Sequence, residues 1–410
     1  MSTDADVAIV GGGPAGLAAA VELRRLGVAR VLVLEREAEA GGIPRHTHHL
    51  GFGMRDLHRV LSGSVYAARY ARRARDAGVD VRTETSVTGW AGPRALAVSA
   101  PTGRAIVRAA AIVLATGCRE RPRAARLVAG TRPLGVFTTG ALQQLVFLER
   151  QRIGRRAVVV GAEHVSFSAV PTLAAGGATT VAMVTEEARH QSHPVLVWAT
   201  AGWRRVPILA GTAVTRVLGR RRVEAVEVTT LATGATRTIA CDTLVFSGDW
   251  IPDHELARVA ALVVDATRGP RVDLALRTSV PGVFAAGNLT HAAEAGDVAA
   301  LSGVHAARGV HAFLRSGAWP ATPVPIVCAP PLRWVSPGAV SPGEVPARGR
   351  FVARSAAFVT RAVLEVWQDG SLLWREPSQA LVPGRSVRLA ASWVEKVDPT
   401  GPEVRVALAG

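Results

Sequence analysis

Lysine is almost absent from this chain: of 48 basic side chains only Lys396 is not an arginine. Cysteine is scarce too. Cys118, Cys241 and Cys328 lie far apart, with no C-x-x-C or C-x-x-x-x-C pair, which leaves no local dithiol for redox exchange or metal binding and argues against a disulfide reductase. Aromatic residues make up 5% of the chain, with no basic run and no interleaved stacking residues, so the net charge of +16 reads as arginine bias spread over every segment and not as a nucleic-acid footprint. That charge leaves room for an acidic partner protein or for peripheral contact with an anionic membrane surface through long-range attraction. No run of 18 apolar residues occurs, and the first residues lead into a strand without a charged and then apolar leader. The expectation is neither a membrane span nor a secretory signal, and a cytoplasmic location. At 410 residues, 49% of them hydrophobic, the chain has the length for two or three domains.

The most informative stretch is Val7-Ala-Ile-Val-Gly-Gly-Gly-Pro-Ala-Gly-Leu17. An apolar strand runs into G-x-G-x-x-G (Gly11, Gly13, Gly16) and then into a helix, the context in which this spacing binds a dinucleotide. Gly11 permits a tight turn, Gly13 lets the backbone approach a pyrophosphate, and Gly16 packs helix on strand. The free N–H groups of the helix start attract the phosphates. Gly27 ends the helix, and Val31-Leu-Val-Leu34 forms a second strand closed by Glu35. A carboxylate there bonds a ribose 2′-OH and repels a 2′-phosphate, which selects FAD or NAD over NADP.

Further along, Ala111-Ile-Val-Leu-Ala-Thr-Gly117 is an apolar strand whose small terminal residues let backbone pass beside a nucleotide. Ala157-Val-Val-Val-Gly-Ala-Glu-His-Val-Ser-Phe167, then Ala178–Val184 with Glu186, repeats the strand–turn–helix pattern, and Thr243–Ser247 closes that unit. Thr278–Asn288 gives a turn, a short strand and a Gly-polar pair, followed by a helix rich in small residues from about Asp297 to Phe313. From Trp319 to Pro346 the prolines Pro320, Pro323, Pro325, Pro330, Pro331, Pro337, Pro342 and Pro346 predict a linker or extended wrap without helix or sheet. Ala362–Trp367 and Ser371–Trp374 flank Asp369-Gly370 as a hairpin signal within a small β module, for which a capping or dimerisation role is favoured over chemistry. The expected organisation is α/β: residues 1–130 and 251–318 as a discontinuous FAD-binding Rossmann-like domain, 131–250 as an inserted NAD(P)-type Rossmann-like domain, 319–347 as linker, and 348–410 as a C-terminal all-β module.

The fingerprint with Glu35, the Gly41-Gly42 pair, Ala115-Thr116-Gly117 and Thr278-x-x-Pro-Gly-Val-Phe-Ala-Ala-Gly287 together resemble the two-dinucleotide-domain flavoproteins related to thioredoxin reductase and the pyridine nucleotide-disulfide oxidoreductases, over about the first 315 residues. The resemblance implies FAD. It implies Gly11, Gly13, Pro14, Ala15 and Gly16 at the pyrophosphate, Glu35 with Arg36 at the adenosine ribose, and Gly42 with Ala115, Thr116 and Gly117 beside the cofactor. Gly287 and Asn288 fall on the ribityl-phosphate side, and Asp297 and Val298 start the helix that faces the flavin ring. Asn288 replaces the family's usual aspartate and still offers a hydrogen bond to a ribityl hydroxyl. Gly41-Gly-Ile-Pro-Arg-His-Thr-His-His-Leu-Gly-Phe-Gly53 and Ser64-Val-Tyr-Ala-Ala-Arg-Tyr70, with the β tail, look like the FAD proteins of anaerobic-type glycerol-3-phosphate dehydrogenases and the flavin subunits of opine, proline or hydroxyproline dehydrogenases and hydrogen cyanide synthase. Relatives of that kind commonly work in heteromeric complexes.

At the second turn Gly161, Glu163 and Ser166 occupy the fingerprint positions, so an acidic side chain stands where bare backbone should meet a pyrophosphate. This opposes NAD(P)H unless Glu163 turns aside. Pro171 would fall inside the helix that follows. A flavin needs orientation and a proton route more than a nucleophile, and Arg45, His46, His48 and His49 after the Gly41-Gly42 pair are the proton-transfer candidates. Their plainer role is hydrogen bonding to loop backbone or FAD phosphate. A metal is not expected, because no carboxylate or thiolate set accompanies them. His291 and Glu294 can line the same face, His305 reads as structural, and Cys118 as a small buried hydrophobe. Three functions follow: an FAD-dependent dehydrogenase, or the FAD subunit of a heteromeric one, oxidising a small amine, amino acid or hydroxy compound and passing electrons to a partner protein or quinone; an NAD(P)H-dependent flavin reductase of a small acceptor; and a flavin-binding assembly subunit without chemistry.

Overall fold

The computed structural model describes residues 4–320, 322–341 and 343–409; Pro342 of the proline series lies outside them. The chain divides into one unit of residues 1–45, 50–118 and 252–410 and a second of residues 46–49 and 119–251.

In the first unit, strands Ala5–Val10 and Val31–Leu34 pair in parallel, as their unbroken apolar character requires of strands covered on both faces. The neighbouring strand Gly103–Leu114 is longer than Ala111–Gly117 suggests, and its two halves have different partners. Its first half forms an antiparallel meander with Ala95–Ala100, which in turn pairs with Ser86–Gly92. Its second half pairs in parallel with Ala5–Val10 on one side and with Val283–Ala285 on the other. The helix Pro14–Arg25 crosses the long helix Gly296–Ser316 at close range, since a Cβ on Gly303 would stand 1.9 Å from the Ala15 carbonyl oxygen.

The rest of this unit is β structure that begins earlier than expected. Within the predicted linker, Val324–Cys328, Leu332–Ser336 and Ala339–Val340 are strands. The prolines do not prevent this because most sit outside the ladders: Pro330, Pro331 and Pro337 fall between strands, and Pro325 lies at the strand end opposite Ala339. Val324–Cys328 pairs with Val404–Leu408 from the far end of the chain, and that strand pairs with Leu364–Gln368. The predicted hairpin is present as Leu364–Gln368 and Ser371–Arg375, and Asp369 and Gly370 both take positive φ (46° and 73°) as a two-residue primed turn requires. A second sheet, Leu332–Ser336, Arg350–Ser355 and Ser386–Ala390, encloses a core of Phe351, Leu389, Trp393 and Val366 that also takes in Leu274.

The second unit holds a five-stranded parallel sheet in the order Val136–Thr138, Thr243–Phe246, Arg156–Val160, Thr179–Val184, Ile208–Leu209. A smaller sheet of Ala129–Gly130, Thr212–Leu218, Ala225–Thr230 and Thr236–Ala240 accompanies it. The helix His164–Ala175 continues through Pro171. Among the described residues, no helix is long and apolar enough to cross a membrane.

Candidate functional site

The two glycine turns have the same backbone and opposite contents. Gly11 and Gly161 take φ of +105° and +123°, and Gly13 and Glu163 each cap a 12-residue helix in extended conformation. At the first turn nothing fills the helix start. Gly13 carries no capping side chain, Pro14 removes an N–H that would lack a partner anyway, and a Cβ added to Gly13 would meet only the Gly42 Cα, at 3.9 Å. Gly16 is held hard against the turn, its Cβ position 1.9 Å from the Gly11 carbonyl oxygen. Glu35, buried at the end of its strand, is oriented by two backbone donors: Gly12 N–H to Oε2 at 2.7 Å and Glu37 N–H to Oε1 at 2.9 Å. Arg36 is exposed and lies 3.7 Å from Glu37. The Gly41 N–H donates to the Gly12 carbonyl at 2.7 Å and brings the Gly41-Gly42 pair to the mouth of the turn.

This open, acid-flanked helix start fits a dinucleotide pyrophosphate and its adenosine ribose. Ala115 joins it, its N–H on the Val10 carbonyl at 2.8 Å, while Thr116 Oγ1 donates to the Asp253 carbonyl at 2.8 Å and Gly117 takes φ +77°. Gly287 (φ +69°) donates its N–H to Ser302 Oγ at 3.0 Å. The Asn288 amide ties down its own loop: Nδ2 donates to the Glu294 carbonyl at 3.1 Å, and Oδ1 accepts from the Glu294 N–H at 2.9 Å. Asp297, fully buried, accepts from the Val298 N–H at 2.9 Å and pairs with Arg55 at 3.0 Å.

At the second turn the place is taken. Glu163 and Ser166 form a reciprocal capping box, with the Glu163 N–H donating to Ser166 Oγ at 3.3 Å. Trp250 Nε1 donates to the Glu163 carboxylate at 3.2 and 3.3 Å, which fixes it beside the helix start. Glu163 therefore does not turn aside.

The proton-transfer candidates fall in both units. Arg45 donates to the Glu39 carbonyl at 2.5 Å within the first unit. Residues 46–49 belong to the second, where His48 stacks on Phe147 (centroids 4.0 Å, planes 4° apart) and Thr47 Oγ1 bonds Gln143 at 3.4 Å. His46 is buried and His49 exposed. Arg45 and His46 lie on the short helical turn Ile43–His46, and His48 and His49 follow it. His305 bonds the Leu274 carbonyl at 2.7 Å, a structural role, and Cys118 is buried.

Sequence reasoning missed one cluster in the first unit and, of a second, named only His291 and Glu294. Tyr66 and Tyr70, the only tyrosines in the chain, both donate to Asp56 Oδ2, at 2.6 and 2.7 Å, while the buried Oδ1 makes no hydrogen bond. Their i, i+4 spacing on the helix Gly63–Asp76 was the available signal. Burial, then the neighbouring Tyr70 and Asp56, pushes the Tyr66 phenol well above its ordinary range, and burial does the same to Tyr70. In the second cluster the ring of His291 stacks on Trp334 (5.3 Å, 24°), and Arg354 lies over the other ring system of the pair, 5.2 Å from the Trp334 centroid. Arg354 also reaches Glu294 Oε1 at 3.4 Å and the Ala293 carbonyl at 3.1 Å. No local pattern links residues 291 and 334.

Burial holds the His291 pKa below its ordinary 6.5, Arg354 adding to that effect and Glu294 opposing it. The unfolded chain then takes up this proton first on acidification, so the contribution is present above about pH 6.5 and is lost as pH falls through the lower folded value. His291→Phe keeps the stacked ring and removes the titration. Denaturant midpoints are expected to fall less between pH 8 and pH 5 in this variant than in the parent; equal falls would show that His291 carries no such linkage.

A family model for pyridine nucleotide-disulphide oxidoreductases matches residues 5–308. The chain belongs to that family. It is 27% identical over 297 residues to a thioredoxin reductase of Treponema pallidum, covering 70% of this chain and 90% of that protein. It is 32% identical over 182 residues to sarcosine oxidase subunit alpha of Corynebacterium sp., 42% of this chain but 18% of the relative. Against hydrogen cyanide synthase subunit HcnB of Pseudomonas aeruginosa it is 35% identical over 140 residues, 33% of this chain and 28% of the relative. Among solved structures, the thioredoxin reductase of T. acidophilum superposes with a TM-score of 0.65 at 23% identity, over 77% of this chain and all of that one, which establishes the shared fold. The chain is an FAD-dependent oxidoreductase with Rossmann-like sheets, and its relatives include named subunits of larger enzymes.

Proposed function

We propose that this chain is the FAD-carrying unit of a dehydrogenase that oxidises a small amine, amino acid or hydroxy compound and passes the electrons to a partner protein or a quinone. The observation that carries this reading is the second turn: its helix start is satisfied internally by Glu163 and Ser166, and the acid is pinned there by Trp250. A reduced nicotinamide dinucleotide would have to displace an ordered carboxylate with its own pyrophosphate. With no closely spaced cysteine pair, dithiol exchange is also unsupported. Electrons must then come from a substrate and leave to another acceptor. The relatives named as subunits of sarcosine oxidase and hydrogen cyanide synthase support the same direction. The resemblance of Gly41–Gly53 and Ser64–Tyr70 to the FAD subunits of opine, proline, hydroxyproline and anaerobic-type glycerol-3-phosphate dehydrogenases supports it as well.

Bound FAD supplies hydride acceptance and one- or two-electron release. The chain's own contribution is to bind and orient: the Gly11–Gly16 turn grips phosphate, Glu35 engages ribose hydroxyls, and the start of helix Gly296–Ser316 offers its dipole to negative charge. The rival reading, a flavin reductase using NAD(P)H, draws on the intact parallel sheet and the Gly161 turn. Anaerobic mixing separates them. NADH and NADPH are expected to leave the yellow chromophore oxidised while a member of a panel of small amines, amino acids and hydroxy acids bleaches it; rapid bleaching by NADH would establish the rival.

A further inference from the structure

The outer face of the β module carries more positive charge than its surroundings balance. Along Arg350–Ser355, Phe351 and Ala353 point into the module's core, so Arg350, Val352 and Arg354 share the opposite face. The neighbouring strand Ser386–Ala390 turns Val387 and Leu389 inward and Ser386, Arg388 and Ala390 outward, with Val352 opposite Arg388 and Arg354 opposite Ser386. Arg350 and Arg388 are thus diagonal neighbours on one face. Arg354 and Ser386 both reach Glu294, so this face is turned toward the loop between Asn288 and the long helix. Arg348 precedes the first strand in a left-handed conformation (φ 63°, ψ 19°) that an arginine adopts at a steric cost.

The two carboxylates in this neighbourhood are already engaged. Glu294 is taken by Arg354 and Ser386, and Asp297 by Arg55 and the Val298 N–H. Among the described residues, Arg348, Arg350 and Arg388 have no carboxylate within 4.0 Å. Partial burial first, then repulsion from neighbouring arginines including Arg55 and Arg388, holds the guanidinium groups of Arg348 and Arg350 below their ordinary value, with Glu294 opposing the shift. Like charges gathered with only the already engaged Glu294 to offset them, on a face set against the loop that follows the cofactor motif, form an arrangement that an anion would relieve. Forked guanidinium donors match a planar or tetrahedral oxyanion.

We propose that Arg348, Arg350 and Arg388 bind the carboxylate or phosphate group of a small anionic substrate, which makes the β module a substrate-recognition element and not only a cap. The identity of this anion as the substrate rests on the dehydrogenase reading; the existence of the site does not. The test uses the full FAD-loaded chain at low ionic strength with three probes: glycolate, 2-hydroxyethyl phosphate and neutral ethylene glycol. At about 10 mM, roughly ten times a millimolar Kd, one of the two anions is expected to raise the thermal midpoint and perturb the visible flavin band, which also tells carboxylate from phosphate. Ethylene glycol, and sodium chloride at matched ionic strength, are expected to do neither. R350Q and R388Q are expected to weaken the anion about tenfold each while leaving the ligand-free midpoint unchanged or higher, because each removes an unbalanced like charge. R350K, which keeps the charge and loses the fork, should fall between. The proposal is overturned if neither anion acts, if both variants respond as the parent does, or if both variants lower the ligand-free midpoint, which would make these arginines structural. Anion binding that persists when no substrate in the panel bleaches the flavin would sink the dehydrogenase reading alone. Bleaching with an unchanged KM in R350Q and R388Q would sink the anion site alone.

Discussion

Gly16→Ala is expected to yield a colourless and unstable protein, whereas Gly13→Ala should fold normally and lose FAD. The added Cβ at position 16 would lie 1.9 Å from the Gly11 carbonyl oxygen and 3.1 Å from its carbon, both backbone atoms. Gly11 cannot retreat, because its own Cβ position is already 2.5 Å from the Ala115 carbonyl oxygen. Helix and strand must therefore separate, at about 3 kcal/mol or more where backbone has to move. Position 13 is the reverse case. Its φ is −80°, which any residue adopts, and the only neighbour within 4 Å is the Gly42 Cα at 3.9 Å. A methyl group there leaves the apoprotein intact and stands where the backbone must approach phosphate, for an expected loss of about tenfold to a hundredfold in FAD affinity. Thermal midpoints of the apoproteins and flavin titrations give the two readouts. Tight FAD binding by Gly13→Ala would mean that the turn does not face the pyrophosphate.

That contrast shows which parts of this molecule a sequence can disclose. The first glycine turn, Val31–Leu34 with Glu35, and the long helix after Asn288 are legible because each is set by neighbours within a few residues: apolar runs, glycine spacing and a closing acid. Pro171 is a partial exception, since local rules expect a break and the helix His164–Ala175 runs on within packed surroundings. The start of the β module was illegible. Proline density between 319 and 347 reads as linker, yet Val324–Cys328 is a strand because Val404–Leu408, some 80 positions later, supplies its partner. The site follows the same division. Glu163 is visible as an intruder in a fingerprint, and the structure adds that Ser166 and Trp250 hold it there. Asp56 between two tyrosines, and Arg354 over Trp334 and Glu294, depend on contacts between distant segments and leave no periodic trace.

Glu163→Gly is expected to raise affinity for NADH, and the size of the gain follows from what the carboxylate does. At the second turn one negative charge faces the position of two pyrophosphate charges, in partly buried surroundings where each contact at about 5 Å costs on the order of 1–2 kcal/mol. Removing it also releases the Ser166 N–H that the Glu163 side chain now accepts, which then becomes a donor to the ligand. Against this stands the loss of the cap itself, worth about 1 kcal/mol of local stability. The balance favours binding by roughly tenfold or more. Glu163→Gln divides the effect, since it removes the charge and keeps the bulk. If electrostatics dominates, Gln should recover most of the gain; if bulk dominates, only Gly should. Anaerobic titration with NADH, followed by quenching of its fluorescence, reads affinity apart from any electron transfer. An affinity that stays the same or falls in both variants would show that the second domain lost its nucleotide for reasons other than this acid, and the argument from the turn to the dehydrogenase reading would lose its support.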